Sequence, residues 1–184
     1  MAVAFNTNCL LVRSIRAEES QAYGRINNFR GSPQGWYQEW AEWERNGALQ
    51  LFIILRGRYE YGGPTVAEGT VVGFIKIIPN GNQVSFRTHP NFRGRGYMKE
   101  ALRYTFEYFL ERWRGRDLFV ETRRDNLGVI RMMESLGLRG QAGNGFPGGS
   151  VFWRFGWATW RYARWSPRRN CSTPVWGLQF RMPQ

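Results

Sequence analysis

The chain has 184 residues, 26 basic against 14 acidic side chains, a net charge of +12 and 42% apolar residues. That is the length of one domain with enough apolar content for a core, which excludes a disordered chain, and no apolar run reaches the roughly 18 residues needed to span a bilayer. Two cysteines, Cys9 and Cys171, are too few for a disulfide framework or a cysteine-ligated metal. The first residues lack the basic and apolar regions of a signal peptide. The expected setting is therefore cytoplasmic, with no membrane and no metal.

Residues 9–15 read as a first strand and 17–28 as a short helix. Gly31-Ser-Pro opens a second helix, with Ser32 as N-cap and Pro33 at the first helical position. Trp36, Trp40 and Trp43 share one face of it, a stripe that reads as core packing, and Asn46-Gly47 stops it. Residues 49–56 and 70–78 are strands rich in Ile, Val and Phe, divided by a Gly- and Pro-containing turn over 57–69. Pro79-Asn-Gly-Asn82 signals a hairpin into a strand over 83–88, which His89-Pro90 ends. From 95 to 113 the spacing predicts a helix with Met98, Leu102, Phe106, Phe109, Leu110 and Trp113 on one face. Residues 118–122 read as a short buried strand, and Asp125 or Asn126 caps a helix that ends at Leu136-Gly137. A Gly-rich turn over 143–149 leads to an aromatic strand at 151–155. The order predicts an α/β domain with a mixed sheet.

The charge is unevenly placed. All but Lys76 and Lys99 of the basic residues are Arg, and 135–184 holds no Asp or Glu. Residues 156–184 form a basic extension in which Trp157, Trp160, Trp165 and Trp176 alternate with Arg161, Arg164, Arg168 and Arg169. Such a segment suits a nucleic acid or an acidic protein partner; the alternative is a long hairpin that closes the sheet, with Trp as packing.

The chemistry-bearing stretch is 88–102. A strand ends, Gly94 and Gly96 let the backbone turn tightly, and a helix starts at once between Arg93, Arg95 and Lys99. Free N–H groups and the positive end of the helix dipole make an anion site there, suited to a pyrophosphate. A phosphate-binding G-x-x-x-x-G-K-[ST] loop is absent. Gly143-Asn-Gly145-Phe-Pro-Gly148 matches G-x-G-x-x-G, but Pro147 interrupts it and a strand follows, so it reads as a turn.

This stretch resembles the acyl-CoA signature of the GNAT superfamily of acetyl-CoA-dependent N-acetyltransferases. Arg93-Gly-Arg-Gly96-Tyr-Met98 follows Thr88-His-Pro90 as the signature follows its strand, with Met98 at a position that is usually small. Asn126 through Glu134-Ser-Leu-Gly137-Leu138 is similar to the second family element, and the spacing between the two also matches. In look the chain is most similar to the branch acetylating ribosomal-protein N-termini and small amines. The resemblance covers roughly 9–155, so that 1–155 is expected to form a GNAT-like domain, and it implies a mixed, mostly antiparallel central sheet flanked by helices. It implies acetyl-CoA as co-substrate and a primary amine as acceptor, either a protein N-terminus or a small amine, attacking the thioester directly. Backbone groups of Arg87 and Thr88 would hold the acetyl carbonyl and the pantetheine arm. Arg93, Gly94, Arg95, Gly96, Tyr97 and Met98 would hold the pyrophosphate, and Asn126 would reach the pantetheine or adenosine end.

Two departures bear on the chemistry. Met133 stands where many members carry a Tyr that protonates the departing thiolate, and strand 83–88 has no Glu to act as base. Glu121 is the expected base in its place; His89 is the other candidate, as the one His of the chain. These departures leave a second reading open, a degraded module of the same fold serving in a nucleoprotein or virion assembly, and a homo-oligomer is also left open.

Overall fold

The computed structural model describes residues 3–26, 32–56, 69–79 and 81–162. The turn expected over 57–69, apart from Gly69, and the extension beyond Tyr162 lie outside the described residues.

The core is an eight-stranded sheet in the order β1-β2-β3-β4-β5-β6-β8-β7. Its strands are β1 (Ala4–Asn6), β2 (Leu10–Ser14), β3 (Leu49–Leu55), β4 (Val71–Ile78), β5 (Gln83–Thr88), β6 (Leu118–Arg123), β7 (Gln141–Gly143) and β8 (Ser150–Phe155). Every neighbouring pair is antiparallel except β5 and β6. Among the described residues five α-helices accompany it: α1 (Ser20–Ile26), α2 (Pro33–Arg45), α3 (Tyr97–Arg112), α4 (Leu127–Ser135) and α5 (Trp157–Tyr162). The mixed, mostly antiparallel sheet flanked by helices is the architecture the sequence implies.

β3 and β4 are buried along nearly their whole length, which is why they read as unbroken apolar runs instead of alternating ones. One face carries Phe52, Ile54 and Phe74 against Tyr23 and Ile26 of α1, with Trp40 of α2 packed on the cluster. The other carries Leu51, Ile53, Ile75 and Ile77 with Leu102, Phe106, Phe109 and Leu110 of α3. The periodicity of α3 is thus realised as its buried stripe, and α3 starts two residues later than expected, at Tyr97.

α2 is capped as the sequence predicts: Ser32 Oγ accepts from the Gly35 amide at 3.2 Å. Its Trp residues face inward. Trp36 lies so close to α1 that a Cβ at Gly24 would collide with its ring, and Trp43 lies under the Lys76 ammonium, 3.9 Å from the ring centroid. Burial lowers the proton affinity of Lys76, and nearby Glu39 partly offsets this.

Three elements differ from expectation. β1 and β7 are three-residue strands that carry no alternating pattern of their own; each is defined by pairing with β2 or β8. Residues 157–162 form a helix where a hairpin was the alternative to a binding extension. Trp160 packs edge-on to Phe106 at 5.5 Å and beside Phe155 at 6.0 Å, which fastens α5 to α3 and β8.

The edge of the α1 layer is held by a bidentate pair. Arg13 of β2 donates to both Glu19 oxygens, at 2.7 and 2.5 Å, and the Arg16 amide adds a third bond at 3.0 Å. The Arg13 hydrogen bond, offset in part by burial, holds the Glu19 carboxyl below its usual range. Glu19→Gln should therefore cost about 1–2 kcal/mol at neutral pH. The difference from wild type should be full above the ordinary glutamate range and vanish as pH falls through the lowered Glu19 value. Urea unfolding of both proteins across pH checks this.

Candidate active site

Gln83 of β5 and Phe119 of β6 are in parallel register, and the Phe119 amide donates to the Asn82 carbonyl at 3.0 Å. No further register pair joins the two strands, whereas β4–β5 and β6–β8 pair along their full lengths. The sheet therefore opens between 84–88 and 120–123, leaving strand-edge polar groups along a wedge. The register puts Ser85 and Arg87 on the same face as Phe119 and Glu121, while Val84 and Phe86 share the α3 face with Leu118 and Val120.

At the end of β5 the chain turns through a short 3-10 segment, Pro90–Phe92, into the 93–96 loop. His89 is spent on that turn: its Nδ1 accepts from the Asn91 amide at 3.3 Å, and its ring lies 5.6 Å from Phe92. It caps that turn. Arg93 Nε donates to the Thr88 carbonyl at 3.4 Å, tying the loop back to the strand end. Gly94 and Gly96 both sit at positive φ, 74° and 84°, which other residues adopt only with strain. Gly96 is the N-cap of α3 and no side chain caps that end, and a Cβ at Gly94 would meet nothing within 4 Å. The Arg93 amide donates to the Pro90 carbonyl at 3.3 Å, and beyond it the loop leaves the start of α3 without a side-chain cap, with Arg93 and Arg95 beside it. Its geometry fits an anionic phosphate group.

Met98 is explained by its surroundings. Its side chain is buried, and its terminal methyl would lie 3.3 Å from a Cβ at Gly73. Gly73 also brings β4 to within 2.5 Å, measured from that same Cβ position, of the Arg87 carbonyl. The large residue in the loop is accommodated by a missing side chain on the strand beneath it. Met98 can offer its amide but not its side chain to a ligand.

Met133 is fully buried in the main core. A methionine there packs against apolar neighbours and donates no proton. Asn126 caps α4, its Oδ1 accepting from the Val129 amide at 3.4 Å while Nδ2 donates to Thr122 Oγ1 at 2.9 Å. Being exposed, it ties α4 to the end of β6 at the rim of the wedge. Glu121 is half-buried on β6, and Ser150 Oγ–H donates to its Oε1 at 2.6 Å. The sequence reading misses Ser150, because only the β6–β8 pairing brings positions 121 and 150 together. β5 thus carries Arg87 and Thr88 and leads into the 93–98 loop, while its parallel neighbour β6 carries Glu121 and leads to Asn126.

The model of the acetyltransferase (GNAT) domain matches residues 10–139. The chain belongs to the GNAT acetyltransferase family. It is accordingly an acetyl-CoA-dependent N-acetyltransferase, with acetyl-CoA as co-substrate. Solved GNAT structures share the fold at low identity. A ribosomal-protein-S5-alanine acetyltransferase from Vibrio fischeri matches with TM-score 0.63 and 14% identity, covering 83% of this chain and 96% of that one. A ribosomal L7/L12 alpha-N-protein acetyltransferase in complex with coenzyme A gives 0.67 and 11%, covering 83% and 97%. A spermidine N-acetyltransferase from Vibrio cholerae gives 0.64 and 10%, covering 82% and 97%. No curated protein matches the sequence. Among the described residues no helix is long and apolar enough to cross a membrane, and no group of three or more His, Cys, Asp or Glu side chains could hold a metal ion.

Two outcomes follow from this geometry. Gly96→Asp should abolish acetyl-CoA binding in calorimetry, because it adds a carboxylate at the helix start expected to hold the pyrophosphate, whereas Gly96→Ala, which adds no charge but carries the strain of positive φ, should retain part of it. Met133→Leu should leave kcat within several-fold, and Met133→Tyr should lower stability by about 1–3 kcal/mol through overpacking without raising turnover; a thermal melt beside steady-state rates checks both.

Proposed function

We propose that this acetyltransferase binds the acetyl-CoA pyrophosphate on the amides of Gly94 through Met98, with the Arg93 side chain beside them, and lays the pantetheine arm in the wedge between β5 and β6. The acceptor is a primary amine, either a protein N-terminus or a small amine, approaching from the face that carries Arg87 and Glu121. The observation that carries this reading is the wedge ending on a loop with two positive-φ glycines and an uncapped helix start. The structural neighbours named for ribosomal-protein and spermidine acetylation support an amine acceptor.

In this reading the acceptor nitrogen gives a proton to the Glu121 carboxylate and its lone pair attacks the thioester carbonyl carbon. The C–N bond forms, the C–S bond breaks, and its electron pair leaves on sulfur. Strand-edge amides beside Arg87 and Thr88 stabilise charge on the carbonyl oxygen, and holding amine and carbonyl together supplies much of the acceleration. Arg93 steadies the loop through Thr88, so cofactor seating and carbonyl placement are linked along one stretch of backbone.

The test is thiol release from acetyl-CoA with peptides bearing N-terminal Ser or Ala and with spermidine. Glu121→Gln should lower kcat about a hundredfold, as loss of a general base does, with KM for acetyl-CoA within a few-fold. Turnover within twofold of wild type would remove Glu121 from the chemistry.

A further inference from the structure

Around Glu121 the chain builds more than a carboxylate on a strand. Ser150, the first residue of β8, is fully buried. Its Oγ accepts from the Gly145 amide at 3.1 Å and donates to Glu121 Oε1 at 2.6 Å, a length in the charge-assisted range for O–H to carboxylate. The backbone amide thus fixes the hydroxyl's rotation, and the hydroxyl fixes one carboxylate oxygen. Among the described residues no donor takes the other oxygen, Oε2.

The turn read as a failed G-x-G-x-x-G has its explanation here. Gly143 pairs with Ser150 across β7 and β8, and a Cβ on it would stand 2.7 Å from Ser150 Oγ. A Cβ on Gly145 would run into the Glu121 carboxylate itself. Neither glycine has positive φ, so neither is required by the turn's conformation. Both are required by the space that the Ser150–Glu121 pair occupies. The turn closes over the pair, with the Gly149 amide bonded to the Phe146 carbonyl at 2.9 Å and the Gly149 carbonyl to the Arg124 amide at 3.2 Å.

We propose that Ser150 and the Gly143–Gly145 turn form a cradle that positions the Glu121 carboxylate, holding Oε1 so that Oε2 faces the acceptor amine. Ser150 is a positioning residue; it touches neither substrate. The proposal rests on the reading of Glu121 as the base, and the experiment separates the two. With the panel acceptor of highest turnover, Ser150→Ala should lower kcat tenfold or more and leave KM for acetyl-CoA within twofold, and Ser150→Cys, which keeps a weak donor, should fall between. In the Glu121→Gln background Ser150→Ala should add no further loss, since the two act as one unit. Loss of kcat in Glu121→Gln but not in Ser150→Ala overturns the cradle and leaves the base; full kcat in Glu121→Gln overturns both. A second measurement needs no turnover. Gly145→Ala should lower the melting temperature of the wild type and lose that effect in Glu121→Ala, where the carboxylate is gone. An equal drop in both backgrounds overturns the packing on which the cradle stands.

Discussion

The site depends on one defect in an otherwise continuous sheet. β5 and β6 run parallel, share a single register pair and then part. Parallel strands need a long crossover, here the whole of α3, and that helix must start where β5 ends. The same connection that makes the pair parallel therefore delivers a helix N-terminus to the mouth of the opening. Closing the strands into a full ladder would satisfy more hydrogen bonds and remove the wedge in which the proposed reading lays the pantetheine arm. The cost of leaving strand edges open is offset by a densely packed remainder, with β3 and β4 buried on both faces.

The electrostatics follow from that placement. In the proposed reading, Arg87, Arg93 and Arg95 serve the anionic cofactor at the end of β5 and Glu121 on β6 serves the basic amine. Nearby departures from the family pattern are matched by local adjustments: Met98 is lodged against a glycine on β4, and Met133 is absorbed into the core. Both side chains are buried in the main core cluster.

Much of this was legible in the chain. The glycine turn into α3 was readable because its ingredients are local: two glycines, a strand before and a helix after, all within 88–102. The Trp stripe of α2 and the apolar face of α3 were readable because helical periodicity is local too. β1 and β7 were not, since three residues carry no period and owe their extended form to a partner strand. His89 was ambiguous by residue type and became a cap only through the turn it closes. The Ser150–Glu121 pair was out of reach for a different reason: 29 residues separate them, and nothing in either neighbourhood announces the other. The glycines at 143 and 145 looked like turn residues because spacing reports backbone freedom, not the side chain that fills the vacant volume.

Glu100 shows how the helix start keeps its charge. It is the acidic residue of the first turn of α3, where a carboxylate ordinarily settles against the amides and cancels their field. Here it is turned away, accepting from the Thr7 hydroxyl and from the Cys9 amide at 2.8 Å. The β1–β2 turn thus acts as a sequestering clamp, keeping the carboxylate from capping the start of α3. On the proposed reading, a fusion partner or deletion that pulls residues 3–9 off the sheet would free the Glu100 carboxylate to settle at the start of α3 and compete there with the cofactor phosphate.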